Sequence, residues 1–192
     1  MNLQSSRWSP RNWFRGRAPK PARGVNIRLF VPADAEVCAR IFFAAVHRGA
    51  RDLYDEAQRR AWLPEQWSGD RLLQRLQGQT VFVAELDGRV LGFMSLRSDG
   101  HVDFAYLSPD SMGKGIAARL LERVQQVAAE RGLPRLTVDA SELALRFLLK
   151  YGWQVTERRE LLRDGVVLCQ FGMQVELPQT GLNRGDSAGS MP

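Results

Sequence analysis

Hydrophobic and polar positions alternate with a period of two through the middle of this chain, and that period is typical of half-buried strands. The predicted strands run over Thr80–Leu86, Arg89–Leu96 and His101–Leu107. Asp87-Gly88 and Asp99-Gly100 separate them, and such pairs favour tight hairpin turns. The pattern therefore predicts an antiparallel meander of three strands.

Apolar residues with helical spacing lie on both sides of this meander. Upstream, a strand at Val25–Val31 precedes a helix with Asp34 as its N-cap, a second helix at Glu56–Trp62 and a short third one after Ser68. Downstream, one long amphipathic helix ends at Gly132. The apolar residues of its buried face are Ile116, Ala117, Leu120, Leu121, Val124, Val127 and Ala128.

The last third of the chain continues with short elements. They are predicted as a strand over Arg135–Asp139, a helix over Ser141–Tyr151, and strands over Trp153–Leu161 and Val166–Glu176. The complete order is therefore β-α-α-β-β-β-α-β-α-β-β.

The net charge of +6 is concentrated at the N-terminus. Residues 1–24 hold six of the 27 basic residues and none of the 21 acidic ones, so the rest of the chain is formally neutral. This segment has prolines, glycines and no periodicity, which predicts a disordered tail. The alternative is contact with nucleic acid or an anionic surface, given the interleaved Trp8, Trp13 and Phe14. Residues 178–192 are predicted to be a second flexible tail, which places the folded domain at 25–177.

Composition excludes several classes of protein. Cys38 and Cys169 are too few and too far apart for a disulfide framework or a zinc site, and both are expected to be buried free thiols. No apolar run approaches the length of a membrane span, and no signal-peptide pattern is visible. We therefore expect a cytoplasmic protein without a metal or a membrane partner.

The candidate chemistry lies before the long helix, where Gly113 and Gly115 flank Lys114. Glycines let backbone amides approach an anion closely, and the first turn of a helix has N–H groups without intrahelical partners. A tight turn without a ligand is the plainer interpretation of two glycines. The P-loop motif requires Lys and then Ser or Thr after its last glycine, whereas Gly115 is followed by Ile116. The dinucleotide template G-x-G-x-x-A matches in letters, but here it follows a meander rather than the first strand of a βαβ unit.

The segment Met112-Gly113-Lys114-Gly115-Ile116-Ala117 resembles the Q/R-x-x-G-x-[GA] loop of GNAT-type N-acetyltransferases in all but its first residue. Further motifs of this family are similar to Val90–Met94, Leu136–Ser141 and Lys150–Trp153, in the same order along the chain. The element order matches as well. The resemblance covers roughly Asn26 to Leu177 and is greatest to a bacterial subgroup of small GNAT proteins.

The resemblance implies the GNAT fold of the α/β (α+β) class, with a mixed, mostly antiparallel central sheet and helices on both faces. It implies acetyl-CoA as co-substrate, bound at the split between the last meander strand and the next strand. Met112 replaces a Gln or Arg, with little expected loss because the diphosphate binds backbone amides. Ser141 would equally be a simple N-cap, and Leu107 and Phe147 simple core residues. The implied cofactor-binding residues are Tyr106, Leu107, Met112, Gly113, Lys114, Gly115, Ile116, Ala117, Ser141 and Phe147.

Catalysis requires that the attacking amine loses a proton, because its pKa is about 10.4. A general base meets that need, and an acid near the sulfur helps the thiolate leave. The resemblance implies a base near the start of the last meander strand, where His101 and Asp103 share one face by period two. Structural roles fit both residues equally well. At the family's acid position this chain has Leu148, and Tyr151 is the candidate replacement, although packing explains it better.

The acceptor cleft is implied at residues 47–67, a mixed aromatic and charged segment. It could hold an amino acid, another small amine, an aminoglycoside-like compound or a peptide end. Nucleic acid and basic proteins are not expected partners, and a homodimer is left open. The alternatives to an N-acetyltransferase are a CoA-binding or regulatory module with weak chemistry and a nucleotide-binding oxidoreductase.

Overall fold

The computed structural model describes residues 24–178. The two predicted tails, 1–24 and 178–192, lie outside this range apart from Gly24 and Pro178. Within it the chain forms a seven-stranded sheet with the order β1-β2-β3-β4-β5-β7-β6. The strands are β1 Asn26–Leu29, β2 Thr80–Leu86, β3 Arg89–Leu96, β4 His101–Leu107, β5 Arg135–Ala140, β6 Gln154–Arg163 and β7 Val166–Glu176. All neighbours are antiparallel except β4 and β5, which confirms the mixed, mostly antiparallel sheet.

Helices cover both faces of this sheet, as predicted. They are α1 Ala35–Ala44, α2 Glu56–Trp62, α3 Gly69–Arg75, α4 Ile116–Glu130 and α5 Glu142–Leu149. The apolar face of α4 packs against Val102 and Val138 on one side of the sheet. On the other side, α1 and α3 pack Phe42 and Leu72 against Phe93. Two hydrophobic cores therefore enclose the sheet.

Asp34 occupies the N-cap position of α1, but its side chain does not cap the helix. Its carboxylate accepts a hydrogen bond from the Val31 amide at 2.9 Å and pairs with Arg28 at 2.7 Å. The predicted caps at Ser68 and Ser141 do form, because each hydroxyl accepts a bond from an amide three residues later.

Strand β4 carries an extra residue relative to β3. Met94 pairs with Ala105 and Leu96 pairs with Val102, so three steps along β4 match two along β3, which is a β-bulge. The Phe104 amide inside the bulge donates to the buried Ser95 hydroxyl at 3.1 Å. Strict alternation along β4 would place His101, Asp103, Ala105 and Leu107 on one face, and the bulge breaks that alternation. The bulge reverses the alternation, so that Val102 packs on the α4 side and Phe104 on the α1 side.

The parallel strands β4 and β5 pair over a short distance. His101 is paired with Thr137 and Val102 with Val138, and beyond these two pairs the strands separate. The sheet is therefore closed at the start of β4 and split at its end.

Candidate active site

A cavity of about 450 Å³ opens where β4 and β5 separate. Leu107 of β4, Val138 of β5 and Leu121 of α4 line it on the α4 side. Tyr54 and Trp62, from the segment that leads into and forms α2, line its other end. The cavity therefore reaches from the start of α4 to α2, through the split in the sheet.

The segment 112–117, the glycine loop, forms one wall of the cavity. Met112, Gly113 and Ala117 line it, and α4 begins at Ile116. Gly113 and the N-cap Gly115 have φ angles of 75° and 79°, in the left-handed region that favours glycine. A Cβ at position 113 would meet nothing within 4 Å, so neighbouring side chains do not require glycine there. The first-turn amides of α4 have no intrahelical partners and lie at the positive end of the helix dipole.

The structure brings most of the predicted cofactor-binding residues to this cavity. The lining residues among them are Tyr106, Leu107, Met112, Gly113, Ala117, Ser141 and Phe147. Lys114, Gly115 and Ile116 do not line it. Lys114 is exposed, Gly115 caps α4, and the side chain of Ile116 is buried in the core.

Two tyrosines set the chemistry of the cavity wall. The Tyr54 hydroxyl accepts a hydrogen bond of 2.7 Å from the Glu142 amide, which ties the segment before α2 to the start of α5. Burial raises the pKa of Tyr54. Burial also raises the pKa of Tyr106, to about 12. Both phenols therefore stay protonated near neutral pH and act as hydrogen-bonding groups without charge.

The two predicted bases lie away from the cavity wall. His101 is at the closed end of the split, with Nδ1 3.0 Å from the Thr137 hydroxyl. The Asp103 carboxylate is largely buried and contacts Arg75 at 2.6 Å and the amide of Gln79 at 2.7 Å. Neither side chain lines the cavity, and their role as bases stays a prediction.

Tyr151, the predicted replacement acid, is half-buried against Phe147, with 4.8 Å between the ring centroids. Burial raises its pKa. It does not line the cavity, whereas Leu148 at the family's acid position does. Its role as an acid also stays a prediction.

Arg59 lines the α2 end of the cavity, although no sequence motif singles it out. Its Nη1 donates to the backbone carbonyl of Tyr54, and its Nε is buried without a partner in the described chain. A signal was present, because Arg59 precedes Trp62 by three residues and residues so spaced share one helix face. Once Trp62 faces inward, Arg59 does so too.

Residues 24–178 contain no group of three or more His, Cys, Asp or Glu side chains arranged to hold a metal ion. None of their helices has the length and apolar character needed to cross a membrane.

Comparisons with known proteins agree with this geometry. The sequence model of a family described as an acetyltransferase (GNAT) domain matches residues 50–177. The chain is 29% identical over 150 residues to the uncharacterised N-acetyltransferase YafP of Escherichia coli K12, covering 78% of this chain and 95% of that protein.

Solved structures extend the likeness to the fold. A GCN5-related N-acetyltransferase from Rhodopseudomonas palustris is 34% identical with a TM-score of 0.74, covering 79% of this chain and 95% of that one. The acetyltransferase yncA from Salmonella typhimurium, solved with its cofactor acetyl-CoA, is 25% identical with a TM-score of 0.63, covering 81% and 95%. Each comparison spans nearly the whole length of the relative.

Proposed function

This chain belongs to the GNAT family of N-acetyltransferases and is an acyltransferase, and we propose that it moves an acetyl group from acetyl-CoA to the amine of a small molecule or peptide. The transfer is direct, within a ternary complex. The observation that carries the proposal is the cavity at the split between β4 and β5, with the glycine loop in its wall.

The residues of this cavity fit acetyl-CoA. The first-turn amides of α4 and the neighbouring Lys114 suit a diphosphate. Beyond Val102, β4 has lost its β5 partner, so its edge offers backbone groups to an extended pantetheine arm beside Tyr106 and Leu107. The related Salmonella protein was solved with acetyl-CoA, which supports the same co-substrate here.

The reaction needs little covalent help from the protein. The acceptor ammonium loses one proton before its nitrogen attacks the thioester carbon, and a second as the amide forms. The C–S bond breaks, and the thiolate takes up one proton, so one proton is released overall. Backbone N–H groups of β4 stabilise the negative charge that develops on the acetyl oxygen. The proton of the amine leaves through water, with His101 and Asp103 as the proposed ends of that path.

Calorimetric titration of acetyl-CoA into wild type and Gly115→Asp tests the proposal. Asp adopts the left-handed backbone of position 115 more readily than most residues and suits a helix N-terminus, and the substitution places a negative charge beside the proposed diphosphate site. We expect wild type to bind and Gly115→Asp to lose at least about tenfold in affinity, a change of about 1.4 kcal/mol. Gly88→Asp is the matched control, since Gly88 has a similar positive φ (74°), with nothing within 4 Å of an added Cβ, but lies in the β2–β3 turn. Absence of acetyl-CoA binding, or tighter binding of NADH, would contradict the proposal.

A catalytically weak CoA-binding module is the second candidate. It is favoured by Leu148 at the acid position and by the placement of His101 and Asp103 outside the cavity lining. Both candidates bind acetyl-CoA, and release of free CoA thiol in the presence of amines separates them.

A further inference from the structure

The α2 end of the cavity is built from Tyr54, Gln58, Arg59 and Trp62. Helix α2 is fixed over the far strands of the sheet, where the Gln58 amide lies 3.5 Å from the carbonyl of Val167. Trp62 packs with Tyr106 in the core on the α1 side, opposite α4. This end is therefore separate from the glycine loop and suits the second substrate.

Arg59 differs from Arg60 and Arg71 because no carboxylate contacts it in the described chain. A guanidinium has five N–H donors, and within residues 24–178 Arg59 has one acceptor, the carbonyl of Tyr54. Its neighbour Arg60 points outward and pairs with Glu56 at 2.9 Å. Buried polar atoms are normally hydrogen-bonded, so the buried Nε of the half-buried Arg59, without a partner in the described chain, indicates an acceptor supplied from outside it.

The charge of the cavity wall also favours an anionic ligand. The charged residues that line it are Arg59, Arg146 and Lys150, with no Asp or Glu of the described chain among them; Arg146 pairs with Glu142 at 2.8 Å, and Arg59 contacts no carboxylate. Arg163 adds a further positive charge at the α2 end, with its guanidinium carbon 5.9 Å from the Trp62 ring centroid. A polycationic acceptor would meet repulsion here, whereas an anion would be attracted.

We propose that the acceptor amine carries an anionic oxyacid group, a carboxylate or a phosphate, that Arg59 binds, while its apolar part lies against Trp62 and Tyr106. The inference rests on the proposed function and narrows its acceptor class. Arg59 holds the acceptor by charge-assisted hydrogen bonds, for which the guanidinium fork is well suited. Aminoglycoside-like acceptors are excluded by the same charge.

Matched acceptor pairs test this inference. CoA release is followed with glycine, L-leucine, L-methionine and L-phenylalanine, each beside its carboxamide, and with phosphoethanolamine beside ethanolamine. We expect kcat/KM to be at least about tenfold higher for the anionic member of the preferred pair. If the preferred pair is an amino acid and its carboxamide, the anionic group is a carboxylate. If it is phosphoethanolamine and ethanolamine, the anionic group is a phosphate. Amine protonation would act in the opposite direction, because the neighbouring carboxylate raises the pKa of the amine and leaves less of the free base.

Substitutions locate the selectivity. Arg59→Gln should lower the ratio of kcat/KM for the anionic acceptor to kcat/KM for its neutral partner by about 30- to 100-fold. Arg59→Lys keeps the positive charge but lacks the guanidinium fork, so its preference for the anionic acceptor should lie between those of wild type and Arg59→Gln. Arg60→Gln is the matched control, since it removes an exposed guanidinium from the same helix and should preserve the selectivity.

Two further readouts separate this inference from the proposed function. Titration with acetyl-CoA reports the function alone, and the Arg59 and Arg60 variants should bind it like wild type. Titration of the CoA complex with N-acetyl-L-phenylalanine and its carboxamide reports anion recognition without turnover. Two results in a protein that binds acetyl-CoA would overturn the inference and leave the proposed function standing. One is equal kcat/KM for the anionic and the neutral acceptors. The other is neither turnover nor binding of the anionic and neutral compounds. Selectivity that persists in Arg59→Gln would overturn the role of Arg59.

Discussion

Asp34 is a buried carboxylate that joins the start of α1 to the first strand. Arg28 donates two hydrogen bonds to it, at 2.7 and 2.9 Å, and only 8% of its side chain is exposed. The hydrogen bonds from Arg28 lower the pKa of Asp34 below its ordinary value. A lowered folded-state pKa means that the stabilisation is present above the unfolded-state pKa and is lost as the pH falls through the folded-state pKa.

Asp34→Asn should therefore lower the free energy of unfolding by about 1.5–3 kcal/mol at pH 7, the usual worth of hydrogen bonds to a charged group. The deficit should shrink as the pH falls below about 4, where the unfolded carboxyl takes up its proton. Urea unfolding at several pH values measures this. Asp52→Asn, at a carboxylate with 91% of its side chain exposed, is the control. A deficit that is constant from pH 7 to pH 3 would show that the ion pair is not its source.

The two thiols should differ strongly in reactivity. Cys38 has no exposed surface, and burial raises its pKa to about 12, whereas Cys169 is half-buried beside Arg158, whose Nη2 lies 3.1 Å from Sγ. A cysteine reacts as the thiolate and must be accessible to the reagent. A thiol reagent at pH 8 should therefore modify Cys169 of the native chain quickly and Cys38 slowly. Cys169→Ser should abolish that fast phase, and Cys38→Ser should leave it intact. Two thiols reacting at equal rates would contradict the prediction.

At the scale of single elements, the bulge in β4 determines which residues face the cavity. The Ser95 hydroxyl satisfies the amide of Phe104 in a buried position. Ser95→Ala leaves that amide without a partner and should cost about 1–3 kcal/mol of stability. Because β4 lines the cavity beyond the bulge, affinity for acetyl-CoA should fall as well. Chemical denaturation and titration measure the two effects, with the exposed Ser98→Ala as control. If Ser95→Ala and Ser98→Ala are equally stable, the Ser95 hydroxyl does not stabilise the bulge.

Most of the elements were predictable because their signals are local. The strands of the meander, α2 and β7 have the predicted bounds, since alternation, turn pairs and caps are written in adjacent residues. The bulge leaves no such mark, and one extra residue reverses the face of every later side chain. His101 and Asp103 were therefore placed toward a cleft that they do not line. Arg59 was missed because its setting depends on how α2 packs on distant strands.

At the scale of the whole molecule, the short pairing of β4 with β5 divides the sheet into two parts. Strands β1–β4 and strands β5–β7 are each joined by long antiparallel pairings. Between the two parts, the strands themselves pair at two positions. A ligand in the split contacts both parts, so its binding should stabilise the junction.

Acetyl-CoA should accordingly slow amide hydrogen exchange in β4 beyond Val102 and at the start of α5. At a ligand concentration of 100 times Kd, the native state gains about 2.7 kcal/mol, which a rise in Tm also reports. Gly115→Asp, with affinity at least about tenfold lower, should gain at most about 1.4 kcal/mol at the same concentration and show correspondingly less protection, and Gly88→Asp should show both effects in full. Protection spread evenly over all seven strands would contradict a junction that the ligand stabilises.

The strand order also has a consequence for the chain during its synthesis. The glycine loop and α4 are complete by Glu130, and β1–β4 can pair with one another as they emerge. The opposite wall requires α5, and β5 gains its second neighbour only when β7 inserts between it and β6. At about 5–20 residues per second, a few seconds separate the two halves. A nascent chain therefore has the helix start that we propose as the diphosphate site well before it can enclose a substrate.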